Sequence, residues 1–380
     1  MRIAVAMDSF KGSLSSLDAG RAVKAGIQQV NSNNIVTVCP LADGGEGTVQ
    51  ALYQSLGGQW TETTVTGPRS RPVIAGYCVL PDGTAILEMA SAAGLPLLDP
   101  KERNPLETTT YGVGELIRDA IEKGCRDFII GIGGSATNDG GTGMLSALGF
   151  DFFDENEKAI ALGAKGLQNL QRISIENQLP ELKECRFRIA CDVNNPLCGE
   201  NGCSAIFAPQ KGATPEMVAD MDHWLENYAR LANQVSANAD PDFPGAGAAG
   251  GLGFAFLTFL NATLESGADI ILSKTGLEQQ IQNADIVITG EGRLDGQTAM
   301  GKGPMAVAAL AKRYDKPVIA LCGCIGKDAE ICNERGIDAY FPILQSATTL
   351  EEALAPQTAR QNLKATAAQV FRLISTFRRN

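Results

Sequence analysis

Apolar runs of about five residues alternate with longer stretches of helical period along much of the chain. The runs at 3–7, 35–41, 285–289, 317–321 and 339–343 have strand length. Helical patterns lie between and after them, at about 16–30, from 48 to Leu56, and at 304–314, 329–335 and 350–377. Ser15 or Ser16 is placed to cap the first helix, and Gly57-Gly58 stops the second. Five strands with interleaved helices predict a flavodoxin-like (Rossmann-like) parallel sheet of order 2-1-3-4-5.

The pattern changes in the middle. Residues 61–66, 73–80 and 85–89 are β-rich and are separated by Gly67-Pro68 and Pro81-Asp82-Gly83, which are turn signals. A helical pattern follows at 109–123, then strand patterns at 128–132 and 186–193. Met217, Met221, Trp224, Tyr228, Leu231 and Val235 recur at three- and four-residue spacing, so 214–237 reads as an amphipathic helix with His223, the sole histidine, on its polar side. A small-residue helix is expected at 252–264. The predicted fold class is therefore α/β with two domains. Residues 1–60 and 266–380 form the discontinuous flavodoxin-like domain, and 61–265 form an inserted mixed α/β domain.

Composition narrows the function classes. The chain has 380 residues, 44% of them hydrophobic and 20% charged, which is ordinary for a globular enzyme. A net charge of −11 argues against nucleic acid or an anionic membrane surface as partner. No apolar stretch approaches the ~18 residues of a membrane span, and residue 2 opens directly into a strand without a leader pattern, so the cytoplasm is the expected compartment. The 10 cysteines are scattered and should be free thiols. With one histidine and no C-x-x-C pairs, zinc is not expected. Oligomeric state is not legible.

The densest chemistry lies at 128–144, FIIGIGGSATNDGGTGM. A buried strand runs into Gly133, Gly134, Gly140, Gly141 and Gly143, with a helix expected at 142–148. Bare backbone N–H groups at such a place suit a phosphate, and Asp139 adds a carboxylate for an accompanying metal; a tight connection without ligand is the alternative. The other strand ends are also loaded. The first delivers Asp8-Ser9-Phe10-Lys11-Gly12-Ser13, the second Asp43-Gly44-Gly45-Glu46-Gly47, the third Gly290-Glu291-Gly292-Arg293-Leu294-Asp295, and the fourth Cys322-Gly323-Cys324. Ligands of doubly wound sheets bind at these ends. Two motifs match in part. Gly131-x-Gly133-x-x-Ala136 fits a dinucleotide fingerprint, but Asn138-Asp139-Gly140-Gly141 interrupts the helix that should follow. Gly296-x-x-x-x-Gly301-Lys302 fits a Walker-type loop except that Gly303 stands where Ser or Thr should be.

Taken together, the motifs resemble those of the bacterial glycerate kinases of type 1. They are the three loops at 8–14, 42–48 and 130–141 with Ala190-Cys191-Asp192-Val193-Asn194-Asn195-Pro196-Leu197, Pro209-Gln210-Lys211-Gly212, Gly245-Ala246-Gly247-Ala248-Ala249-Gly250-Gly251 and Thr289-Gly290-Glu291-Gly292-Arg293-Leu294-Asp295. They span nearly the whole chain in order. The resemblance implies ATP-dependent phosphorylation of (R)-glycerate, usually at the 2-hydroxyl, with Mg²⁺ and a two-domain α/β build. It does not fix single residues, and their roles are assigned on physical grounds. Phosphoryl transfer needs a backbone cradle, cations, metal carboxylates and a base. Gly133, Gly134, Ser135 and Asn138, with Gly247 and Gly250, are the nucleotide cradle expected here. Lys11, Lys211, Arg293 and Lys302 are the cations, Arg293 facing the glycerate carboxylate. Glu291 and Asp295 are the Mg²⁺ ligands, and Asp192 is the base. The rival readings are an NAD(P)-dependent dehydrogenase of a small hydroxy acid and a non-catalytic nucleotide-binding module.

Overall fold

The structure is a computed structural model, and it describes residues 1–39, 41, 52–53, 56–300 and 303–377. Strands β1 (Arg2–Met7) and β2 (Ile35–Val38) open the first of two compact units. The chain then builds the second unit, residues 57–267, with β3 (Gln59–Thr66), β4 (Pro72–Val79), β5 (Thr84–Glu88), β6 (Asp127–Gly131), β7 (Asp151–Phe153), β8 (Arg172–Ser174), β9 (Arg186–Ala190) and β10 (Thr263–Glu265). From 268 it returns to the first unit with β11 (Ile286–Gly290), β12 (Arg293–Leu294), β13 (Val318–Cys322), β14 (Cys324–Ile325) and β15 (Ala339–Pro342).

The first unit carries a five-stranded sheet of order β15-β13-β11-β1-β2, every pair parallel. This is the flavodoxin-like order 2-1-3-4-5 that the sequence pattern predicts. The apolar runs do not alternate because both faces are covered. Ile3, Val5 and Met7 share one face with Ile286 and Ile288, under the helices Ser16–Val30 and Pro356–Phe377. Ala4, Ala6 and Val287 point the other way, against Met305, Val307 and Ala311 of the helix Gly303–Lys312. Ser15 caps the first helix by accepting from the Asp18 N–H.

The second unit carries a mixed six-stranded sheet of order β10-β9-β6-β5-β4-β3. Its antiparallel part is the β3–β4–β5 meander, and β5, β6, β9 and β10 run parallel. Phe128 and Phe187 stack at 4.9 Å on the neighbouring strands β6 and β9.

Several predicted bounds shift for local reasons. The long helix expected at 350–377 is two, Leu350–Leu354 and Pro356–Phe377. Proline forces the preceding Ala355 out of the helical region, to φ −55°, ψ 123°. The helix expected at 252–264 spans Ala248–Leu260, and left-handed Asn261 ends it so that β10 can pair with β9. The helices Gly267–Thr275 and Leu277–Gln282 are additional to the sequence pattern. Strand β9 ends at Ala190, which leaves Asp192 beyond it. The helix expected at 214–237 is Pro215–Ala232, capped by Thr214, with His223 exposed on it.

Candidate active site

The glycine-rich loop after β6 is built to leave donors free. Its carbonyl at Gly134 accepts from the Leu95 N–H, and the Ala136 N–H donates to Ala93, which pins the loop to the short helix Ala90–Ala93. Among the described residues, the N–H groups of Gly133, Gly134 and Ser135 donate to no backbone carbonyl. All three residues line a cavity of about 280 Å³ in the second unit.

Lys211 lies at the same cavity, at the end of the 3₁₀ turn Pro209–Lys211. It is only 1% exposed, and its Nζ donates to Ser135 Oγ at 2.8 Å and to the Thr137 carbonyl at 2.6 Å. Burial pushes its ammonium down to about 8, and among the described residues no carboxylate is bonded to it. A desolvated cation beside free N–H groups is a site that gains from an entering anion.

Asp192 opens on this cavity just past β9. Its side chain is exposed, and Oδ1 accepts from the Gly267 N–H at 3.2 Å. Asn138 and Asp139 take structural places instead. Asp139 is fully buried and accepts from the N–H and Oγ1 of Thr110 at 2.8 and 2.9 Å and from the Gly141 N–H at 3.1 Å. It therefore holds the loop's shape, and burial raises its pKa. Asn138 is fully buried too, with Nδ2 donating to Ser204 Oγ at 2.9 Å.

The stretch 245–251 contributes its alanines, Ala248 and Ala249, to the cavity wall rather than its glycines. Gly247 and Gly250 serve close backbone contact. At Gly250, φ is +70° and a Cβ would sit 2.1 Å from the Thr137 carbonyl oxygen; at Gly247 it would sit 2.1 Å from that of Pro196. Ala249, Gly250 and Gly251 are left-handed in succession, which kinks the chain at the start of the helix.

The first unit has its own cavity, of about 520 Å³, at the carboxyl ends of β1, β11 and β13. Its polar lining includes Asp8, Lys11, Glu291, Arg293 and Asp295. Glu291 Oε1 accepts from Thr298 Oγ1 at 2.6 Å. Asp295 Oδ1 accepts from the N–H groups of Gln297 and Thr298 at 2.9 and 3.3 Å, while Oδ2 lies 3.3 Å from Arg293 Nε. Ser13 Oγ, buried at the cavity, has no hydrogen-bond partner among the described residues. Lys302 and the 42–48 motif lie outside the described residues.

The expected residues thus divide. Gly133, Gly134, Ser135, Asp192 and Lys211 come together in the second unit, and Lys11, Glu291, Arg293 and Asp295 in the first. Among the described residues no three His, Cys, Asp or Glu side chains group as a metal ligand set. Mg²⁺ ordinarily takes one or two carboxylates with water and substrate phosphate, and Glu291 and Asp295 on one cavity suit that smaller set. Sequence reasoning did not find the apolar wall of the first cavity, which includes Phe10, Leu350 and Leu354. The available signal was Leu350 and Leu354 in a short helix that leaves them 75% and 37% exposed. At Gly131-x-Gly133-x-x-Ala136 the next helix starts only at Thr142, so the dinucleotide fingerprint lacks its helix N-terminus.

A flavodoxin-like sheet with charged loops at its carboxyl edge, and a second unit with a buried lysine in a donor-rich cavity, define an α/β enzyme acting on small anionic metabolites. The family model for the glycerate kinase family matches residues 3–375. The chain belongs to that family. It is 46% identical to a glycerate kinase of Haemophilus influenzae, over 99% of both chains, and 46% identical to the glycerate 2-kinase of Escherichia coli K12, over 93% of both. A crystal structure of a candidate glycerate kinase 2 from Salmonella typhimurium LT2 superposes with a TM-score of 0.92 at 43% identity, covering all of both chains.

Proposed function

We propose that the protein phosphorylates (R)-glycerate at its 2-hydroxyl with ATP, giving 2-phosphoglycerate and ADP. The observation that carries this reading is Lys211, a buried ammonium facing a small cavity whose polar groups include the free N–H donors of Gly133 to Ser135, Gln210 and the carboxylate of Asp192. Such a place binds an anionic, hydroxyl-bearing molecule and offers it a base. Family membership supplies the reaction class, and the relatives' names supply glycerate.

Asp192 takes the proton of the 2-hydroxyl as that oxygen bonds to the γ-phosphorus. The bond from the γ-phosphorus to the β–γ bridging oxygen breaks, and its electron pair leaves with ADP. Lys11 offsets phosphate charge, and so does Arg293, which lines the same cavity rather than facing the glycerate carboxylate as the sequence led us to expect. Glu291 and Asp295 would hold Mg²⁺, which supplies charge neutralisation on the phosphates when bound. The net charge of −11 supports metabolites rather than nucleic acid as partners.

The test is incubation with ATP, Mg²⁺ and (R)-glycerate, with products identified by ³¹P NMR. A 2-phosphoglycerate resonance growing with that of ADP is expected. Absence of any phosphoglycerate, under conditions in which nucleotide binds, overturns the reading.

A further inference from the structure

We propose that the cavity of the first unit is the binding site for a purine nucleoside polyphosphate carrying a divalent cation, and that the cavity of the second unit takes the small hydroxy acid. This assignment rests on the kinase reading above and differs from the sequence pattern, which put the nucleotide cradle at 133–138 and 247–250.

Size is the first argument. Pockets for ligands of drug size begin at about 300 Å³. The first unit's cavity, about 520 Å³, exceeds this, and the second unit's, about 280 Å³, does not. Lining is the second. The larger cavity combines polar groups from the loops after β1 and β11 with an apolar wall from Phe10, Leu344, Leu350 and Leu354. A nucleotide has the same two-part character, a flat weakly polar base and a charged tail. The smaller cavity is lined by Ile132, Val193, Phe207 and three alanines beside its polar groups, but it offers only about half the volume.

Charge is the third. Among the described residues, the carboxylates of Asp8, Glu291 and Asp295 face the larger cavity together with the cations Lys11 and Arg293. Carboxylates set beside cations suit a polyphosphate that arrives with a divalent cation. In the smaller cavity, among the described residues, the buried Lys211 and the free N–H groups are matched against the one carboxylate of Asp192, which suits a single carboxylate as ligand. Position is the fourth. β1 and β11 are neighbours whose chains continue to opposite sides of the sheet, toward β2 and β13, and ligands of such sheets bind at that switch point. The orphaned Ser13 Oγ lies in the loop there and gives a phosphate oxygen a donor.

Each cavity carries one thiol, which supplies the experiment. Cys324 lines the larger and is exposed; Cys191 lines the smaller and is half-buried. The intact protein is alkylated with iodoacetamide and the rate at each cysteine is read by mass spectrometry. With Mg²⁺ and ADP at about 100 times the dissociation constant, alkylation of Cys324 should slow about tenfold or more while Cys191 is little changed. Saturating (R)-glycerate should slow Cys191 and leave Cys324 little changed. Leu350→Asp, at an exposed position, should weaken binding of a ribose-labelled fluorescent ADP about tenfold by placing a charge against the base. The assignment is overturned if Mg²⁺–ADP slows Cys191 as much as Cys324, or slows neither, or if Leu350→Asp binds nucleotide like the parent. A protein that makes 2-phosphoglycerate yet gives those results keeps the kinase reading and loses this one. A protein that gives the expected protection but no product does the reverse.

Discussion

Lys211 Nζ donates to Ser135 Oγ at 2.8 Å, across 76 residues of chain. The bond ties the turn Pro209–Lys211 to the loop after β6 and fixes a buried ammonium among unpaired N–H groups. It also makes the cavity's charge dependent on pH near neutrality.

With burial holding the Lys211 ammonium down to about 8, anion binding should weaken as pH rises through 8. The Michaelis constant for glycerate should rise there, and Lys211→Met should raise it at all pH values and flatten the profile. The stability effect has the opposite sign. The folded-state value lies below that of the unfolded chain, so the unfolded state binds more protons between about 8 and 10.5, and stability gains as pH rises across that window. The gain is about 3 kcal/mol at most. Melting of the parent and Lys211→Met between pH 7 and 10 checks it: the parent should gain relative to the variant.

Gly250 and Gly12 both have positive φ, +70° and +76°, but only Gly250 is crowded. Gly12→Ala meets nothing within 4 Å, so it should cost only the left-handed backbone term, about 1–2 kcal/mol. Gly250→Ala must also displace the Thr137 carbonyl, which accepts from Lys211. Its cost should be about 3 kcal/mol or more, with loss of anion binding. Equal melting temperatures for the two variants would show that the backbone contact yields freely.

Asp192→Asn should lower kcat on the order of 10²-fold or more while nucleotide binding and the Mg²⁺ requirement stay near those of the parent. Asp192 is exposed, so circular dichroism should be unchanged. Asp295→Asn should instead raise the Mg²⁺ concentration for half-maximal rate. Its Oδ1 accepts two backbone N–H groups, an arrangement asparagine can keep, so the turn before Thr298–Met300 should survive. If Asp192→Asn shifts the Mg²⁺ requirement and Asp295→Asn does not, the roles are reversed.

All ten cysteines are free. Denatured, unreduced protein should titrate ten thiols, and metal analysis should find no stoichiometric zinc. In the native protein Cys324, the exposed one, should react first. Cys203 and Cys322 are buried, and burial pushes both thiols up to about 12, so they should react only on unfolding. Fast native reaction at Cys203 would mean that this part of the core opens readily.

What the sequence by itself determined is what one residue and its neighbours along the chain decide. Apolar runs such as 3–7 and 285–289 announced strands, and their alternation with helical patterns gave the order of the parallel sheet. Charged loops following those runs marked the sheet edge that carries Lys11, Glu291, Arg293 and Asp295. The apolar period runs through Pro356 and suggested one helix at 350–377, where the proline breaks it into two. Tertiary structure decided which groups of similar chemistry face a cavity and which are consumed by the fold. Asp139 and Asp192 both follow a strand in a polar loop, yet Asp139 is sealed under donors from Thr110 and Gly141 while Asp192 opens on the cavity. Gly133 and Gly250 are both glycines in loops, yet one leaves its N–H free and the other admits a neighbouring backbone. In sequence Lys211 stands as one of four candidate cations, beside Lys11, Arg293 and Lys302. Its burial and its lowered pKa arise only when the loop at 133–137, far away along the chain, closes over it. Burial and electrostatics depend on contacts between distant residues, and local periodicity does not encode those contacts.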